Sequence, residues 1–192
     1  MDKKFLIVLV ALVLSVTCTI GVTLAWLVAE SNVVTNKFTY GTITIEVSES
    51  NKQDKDGLDY TNVVPGDELA KDPVVTVVKG SEACYVYVLI DNQLGSAATY
   101  DIASTWVKVG ESGTKVLYRY TTVVNALNVE QDCPVFTELT FSGDLKVEDV
   151  KNLAGKNVVI SAYAHQADNT DEATATAAAI AWAKVTAVST NG

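Results

Sequence analysis

The sequence predicts an all-β protein, an antiparallel β-sandwich of jelly-roll type with a short C-terminal helix. Short runs of β-branched and aromatic residues recur along the chain, and stretches rich in glycine, proline and polar residues separate them. Two of these runs are apolar on both alternating faces, which is typical of buried central strands. The alanine-rich stretch near the C-terminus has a helical composition. An immunoglobulin-like sandwich is the alternative topology.

The first 25 residues have the layout of an export signal. Charged residues at positions 2–4 precede an uncharged, mostly apolar stretch over 5–29. The triplet TLA at 23–25 places small residues before an aromatic, so we predict signal-peptide cleavage between Ala25 and Trp26. About 20 apolar residues also suffice to span a bilayer, so a retained anchor is the alternative.

Cleavage would leave an N-terminal extended segment, residues 26–36, followed by a single sandwich domain, residues 37–192. The formal net charge of the whole chain is −9, which repels nucleic acid phosphates and keeps an exported protein soluble. We therefore expect no nucleic acid partner, and contact with a membrane only through the uncleaved precursor.

Alternating apolar residues predict the first strand over 41–47, with a bulge at Gly41 where the alternation changes phase. The runs VVTVV at 74–78 and ACYVYVLI at 83–90 are the predicted central strands. The turn formers at 110–113 predict a hairpin, and the run KNVVISAYAHQAD at 156–168 predicts the last strand.

The alanine-rich stretch predicts a helix over about residues 171–188, with Thr170 as the N-cap and acidic residues in the first turn. One face of this helix would carry Ala173, Ala177, Ile180 and Ala181. A second, shorter helix or a turn is predicted at VEDVKNL, residues 147–153.

The sequence offers little for catalysis. His165 is the one histidine, which excludes a histidine-rich zinc site, and no nucleophile elbow or phosphate-binding glycine loop occurs. We therefore predict no enzyme activity, no cofactor and no metal. Asp54, Asp56 and Asp59 flank a glycine, but their spacing does not fit an EF-hand, so a solvated turn is favoured over a calcium loop.

Two further groups of residues have alternative interpretations. Trp106, Tyr118 and Tyr120 would form either a carbohydrate-binding platform or part of the core, and alternating strands favour the core. Cys84 and Cys133 both follow the predicted signal, and outside the cell a disulfide between them is permitted. A pair of either thiol with His165 is the less favoured interpretation.

The opening segment resembles the N-terminus of the TasA/camelysin family of biofilm matrix proteins, which a SipW-type signal peptidase processes during export. The resemblance is carried by the small-residue site TLA, the aromatic Trp26 after it, and the motif NKFTYG at 36–41. The turn in VVPGDELAKDPVVTV and the ending ISAYAHQAD before an alanine-rich helix resemble clostridial relatives. The resemblance implies a secreted β-sandwich that polymerises with itself into extracellular fibres.

The leading hypothesis is therefore a structural protein of an extracellular matrix or cell surface. A monomeric adhesin or carbohydrate-binding module is the alternative. In the leading hypothesis, the segment freed by cleavage adds as a strand to the sheet edge of a neighbouring subunit. Its apolar side chains, which would fill pockets there, are Trp26, Leu27, Val28, Val33 and Val34.

Overall fold

The computed structural model describes residues 41–49 and 63–188, all of which belong to one compact unit, Tyr40–Gly192. The predicted export signal, the N-terminal extended segment and the acidic loop at Asp54–Asp59 lie outside the described residues. Within the described ranges, no helix combines the length and the apolar character needed to cross a membrane.

The described chain is built mainly from short strands. The strands are β1 Ile45–Ser48, β2 Glu68–Ala70, β3 Val74–Val77, β4 Ser81–Asn92, β5 Ala98–Thr99, β6 Trp106–Ser112, β7 Lys115–Tyr120, β8 Val124–Ala126, β9 Gln131–Pro134, β10 Glu138–Phe141, β11 Val158–Gln166 and β12 Thr186–Ala187. The helices are α1 Val147–Asn152 and α2 Glu172–Ala183, with a 3₁₀ turn at Gly95–Ala97.

These strands form three sheets, and every described strand pair is antiparallel. Sheet A has the order β1-β3-β9 and sheet B the order β2-β10-β5. Sheet C has the order β11-β4-β7-β6-β12, and β8 also pairs with β4. The predicted all-β, antiparallel class is confirmed, and so are the central positions of β3 in sheet A and β4 in sheet C.

The main core fills the space between sheets A and C, as in a β-sandwich. Val75 and Val77 of sheet A meet Cys84, Val86 and Val88 of sheet C, and all five are fully buried. The other face of sheet C is covered by helix α2, a second apolar layer. These two layers explain why β4 is apolar on both faces. One set of its alternate residues faces sheet A, and the other set faces the helix.

Helix α2 packs on sheet C through small side chains. Ala175, Ala179 and Ala183 are buried against Tyr87 and Leu117, so the helix approaches the sheet closely. Of the residues predicted to share one face, Ile180 packs against the same cluster, whereas Ala173, Ala177 and Ala181 are exposed. Alanine occurs all round the helix, so periodicity alone did not identify the buried side.

The ends of α2 also differ from the prediction. Asp171, not Thr170, is the N-cap, and its Oδ1 accepts a hydrogen bond of 2.7 Å from the Thr174 amide. Hydrogen bonding from Thr174 lowers the pKa of the exposed Asp171 carboxyl. The helix ends at Ala183 because Lys184 has a left-handed backbone, and strand β12 then pairs with β6.

The predicted hairpin of β6 and β7 is present, but its turn lies at Gly113 and Thr114, where Gly113 has a φ of +60°. Gly110 lies within β6 beside a shift of register, and a Cβ there would come within 2.7 Å of Val185 Cγ2. The bulge predicted at Gly41 was wrong, because that residue precedes strand β1.

Candidate functional site: an open sheet edge

Strand β11 ends sheet C on one side. It is nine residues long and pairs residue for residue with β4 from Val158↔Asn92 to Gln166↔Cys84. Within residues 41–49 and 63–188, no strand pairs with its other side. The described part of the domain therefore presents a long, regular edge of backbone groups, and strand β1 of sheet A packs beside this edge without pairing with it.

The register shows which backbone groups lie along this edge. The Ala167 amide donates to the Ala83 carbonyl at 2.8 Å, and the Gln93 amide donates to the Asn157 carbonyl at 3.0 Å. Because hydrogen-bonded pairs alternate in an antiparallel ladder, the odd-numbered residues of β11 bond to β4. The amides and carbonyls that point away from β4 belong to Val158, Ile160, Ala162, Ala164 and Gln166.

Apolar side chains of the same residues border the main core. Ile160, Ala162 and Ala164 are half-buried and pack against the cluster between sheets A and C. Strand β1 lies at the adjoining edge of sheet A, and its residue Ile45 is half-buried against the same cluster, as is Ile43 just before the strand. An added strand beside β11 would satisfy backbone groups and also cover these side chains.

Aromatic side chains flank the edge on its other face. Tyr163 of β11 stacks on Trp182 of α2, with ring centroids 5.3 Å apart and an interplanar angle of 23°. The His165 ring lies 6.3 Å from that of Tyr163, and Trp182 is 38% exposed. This pair is not evident from the sequence, because Tyr163 and Trp182 meet only when α2 folds back on sheet C.

The aromatics that the sequence did single out belong to the core. Trp106 is 4% exposed, and its Nε1 donates to the Pro134 carbonyl at 2.7 Å. Its ring meets Tyr120 edge-on, with centroids 5.0 Å apart, and Tyr118 packs on the same cluster. The interpretation of these residues as core is thus confirmed, and they offer no exposed platform.

Cys84 and Cys133 lie on facing sheets within one core cluster, and both are buried, free thiols in the structure. Burial raises the pKa of Cys84 to about 11. Burial, reinforced by the neighbouring Cys84 and Asp132, raises the pKa of Cys133 to about 12. Both thiols are therefore protonated at neutral pH and are poor nucleophiles.

The arrangement of sheet C excludes a catalytic Cys-His pair. His165 pairs with Tyr85 in the ladder and lies on the face of sheet C that carries α2, whereas both thiols lie on the face toward sheet A. Among the described residues, no cluster of three His, Cys, Asp or Glu side chains could hold a metal ion.

A disulfide between Cys84 and Cys133, which is permitted outside the cell, stays a prediction. It would join the two sheets and, in the chain-entropy model, contribute about 3 to 5 kcal/mol to stability. Because both thiols are buried once folded, an oxidant must take up the two electrons and two protons before the sandwich closes.

Non-reducing mass spectrometry of secreted protein should show a mass lower by two hydrogens. Reduced, folded protein should resist alkylation at neutral pH, and both thiols should react after denaturation. Two alkylated thiols in secreted material that was denatured without a reductant would contradict the disulfide.

The residues predicted for processing and polymerisation lie outside the described ranges. These are Ala25, Trp26, Leu27, Val28, Val33 and Val34. The structure describes the edge that could receive such a segment, not the segment itself.

No family model, curated protein or solved structure matches this chain. The resemblance of its opening segment to the TasA/camelysin family therefore stays an expectation, and function has to be argued from the edge itself.

Proposed function

We propose that the protein is a secreted structural subunit that assembles into extracellular fibres of a bacterial biofilm matrix. It belongs, in this proposal, to the TasA/camelysin family, is processed by a SipW-type signal peptidase, and has no enzymatic activity. Its partner is a second copy of itself. Repeated crossing of the chain between sheets A and C, after β3 and after β8, supports a jelly-roll topology within the confirmed sandwich-like architecture.

The edge of β11, with which no strand of residues 41–49 and 63–188 pairs on its outer side, is the observation that carries the proposal. A long, regular edge readily pairs with another chain, and natural proteins usually blunt such edges with prolines, charges or bulges. In β11 the residues at the edge are uncharged, and the register with β4 is unbroken over all nine positions. An edge of this kind favours strand addition as the working interaction.

The freed N-terminal segment suits this edge in length and composition. The stretch WLVAESNVV has nine residues, contains neither glycine nor proline, and is rich in apolar side chains. Added backbone hydrogen bonds would supply affinity, and alternating side chains would set the register. Because such a contact is head-to-tail, it would propagate into a filament.

Electron microscopy and sedimentation of protein beginning at Trp26, over a concentration series, test the proposal. We expect filaments above a critical concentration, and N-terminal sequencing of secreted material should begin at Trp26. A persistent monomer at all concentrations, or secreted protein that still begins at Met1, would contradict it.

The stacked pair of Tyr163 and Trp182 favours a second candidate function, a carbohydrate-binding module. Exposed aromatic rings stack on the apolar faces of sugars, and Trp182 is partly accessible. In that case a polysaccharide should change the tryptophan fluorescence of a monomeric protein, and Trp182→Ala should remove the change. Filament formation without any effect of polysaccharide on fluorescence would favour the fibre subunit.

A further inference from the structure

The chain enters the described domain at one defined end. The Val78 amide donates to the Thr44 carbonyl at 2.9 Å, and the Glu82 amide donates to the Thr42 carbonyl at 3.1 Å. Residues 41–44 therefore lie along the turn that joins β3 to β4. We call this the exit end, because the first described residue, Gly41, lies here and the N-terminal segment is joined to it.

The loop between β8 and β9 lies at the same end. The Gly80 amide, in the turn between β3 and β4, donates to the Ala126 carbonyl at 2.9 Å. Leu127 follows Ala126 directly. The turn between β3 and β4 is therefore hydrogen-bonded both to residues 41–44 and to the start of this loop. No other described loop is bonded to this turn.

Two large apolar side chains project from this loop. Leu127 is 49% exposed and Val129 is 60% exposed. The loop is ordered by its own polar groups, since the Leu127 amide donates to Asn125 Oδ1 at 3.1 Å. Both side chains are therefore accessible to a partner, and burying them at an interface would stabilise the complex.

The reach of the N-terminal segment limits where a neighbour can lie. Six residues, 35–40, separate Val34 from Gly41. An extended chain spans at most roughly 3.6 Å per residue, so this linker reaches no more than about 25 Å. A subunit that captures the segment Trp26–Val34 must therefore lie close to the exit end.

We propose that Leu127 and Val129 form a second contact between subunits, covered by the copy of this chain that captures the N-terminal segment. This inference rests on the proposed fibre and identifies a surface beyond the strand itself. The neighbouring Glu130 and Asp132 are exposed and acidic, which disfavours an anionic membrane as the occupant. Such a contact between the folded domains of two subunits would fix the angle between them. A flexible linker alone does not fix this angle.

The double variant Leu127→Ser with Val129→Ser tests the contact, in protein that begins at Trp26. We expect an unchanged monomer, judged by circular dichroism and thermal unfolding, because neither side chain belongs to a core cluster. The critical concentration for polymerisation should rise by about tenfold or more, since two apolar side chains lose their burial. Val107→Ser, on β6 at the opposite side of sheet C from β11, is the control and should polymerise normally.

The outcomes separate this inference from the function on which it rests. If wild-type protein forms no polymer, the fibre proposal fails and this contact fails with it. If wild-type protein polymerises and the double variant has the same critical concentration, only the contact is refuted. Loss of binding to anionic lipid vesicles with unchanged polymerisation would also overturn it, in favour of a membrane surface.

Discussion

A chain that lacks Trp26–Val34 is expected to fold as a stable monomer and to form no filaments. The described core clusters draw their buried residues from Val75 onward, and the segment lies outside the compact unit Tyr40–Gly192. Deletion should therefore leave stability nearly unchanged. Assembly, in contrast, would lose every backbone hydrogen bond that the added strand makes with β11.

Sedimentation and electron microscopy of the truncated chain provide the measurement, and protein beginning at Trp26 is its control. A synthetic peptide of the sequence WLVAESNVV should bind the truncated monomer by pairing with the edge of β11. Filaments that form normally without the segment would refute strand addition by the N-terminus.

Ala162→Pro is expected to abolish or strongly weaken assembly while the domain remains folded. Ala162 pairs with Val88 at a position where its amide points away from β4, so proline removes no bond within sheet C. An incoming strand would lose one hydrogen bond and would meet the proline ring. Leaving a backbone group of the incoming strand without a hydrogen-bond partner costs about 1 to 3 kcal/mol, which corresponds to a rise of roughly five- to 150-fold in critical concentration.

The neighbouring substitution Ser161→Pro is the matched control. Ser161 pairs with Leu89, and its amide points toward β4, so proline there breaks the ladder within the domain. We expect it to destabilise the monomer by about 1 to 3 kcal/mol, measured by urea unfolding. If Ala162→Pro polymerises as well as wild type, β11 is not the receiving edge.

Sequence patterns were sufficient to predict where much of the sandwich would form. The run at 83–90 is apolar at every position, and β4 lies between two apolar layers. Trp106 and Tyr120 lie on alternating strand positions and pack in the core. In these cases the local pattern directly reflects the burial of each face.

Helix α2 shows where local patterns were insufficient. Its buried stripe of Ala175, Ala179 and Ala183 has the same composition as its exposed side, so no contrast marks the face. The buried face is determined by sheet C, because the three alanines pack against its residues Tyr87 and Leu117. Trp182, the largest residue of the helix, lies at the rim and stacks on Tyr163.

The candidate site was predictable only in part. The stretch at 156–168 predicts a strand, but its position at an edge depends on pairing with β4, a strand about 70 positions earlier in the chain. Likewise, the sequence of the loop with Leu127 and Val129 is typical of an ordinary connection. Only the hydrogen bond from Gly80 to Ala126 shows that this loop lies at the exit end. Whether a strand lies at a sheet edge, or a loop at the exit end, depends on the topology of the whole domain. No short stretch of sequence determines it.

Residue-resolved amide hydrogen exchange of β11, compared between monomer and polymer, tests strand addition most directly. In the monomer, the odd-numbered amides from Val159 to His165 should exchange slowly, whereas the amides of Val158, Ile160, Ala162, Ala164 and Gln166 should exchange quickly. In the polymer, we predict that the second set becomes protected to the level of the first. If the alternation persists unchanged in filaments, no strand has been added at β11, and the central claim is wrong.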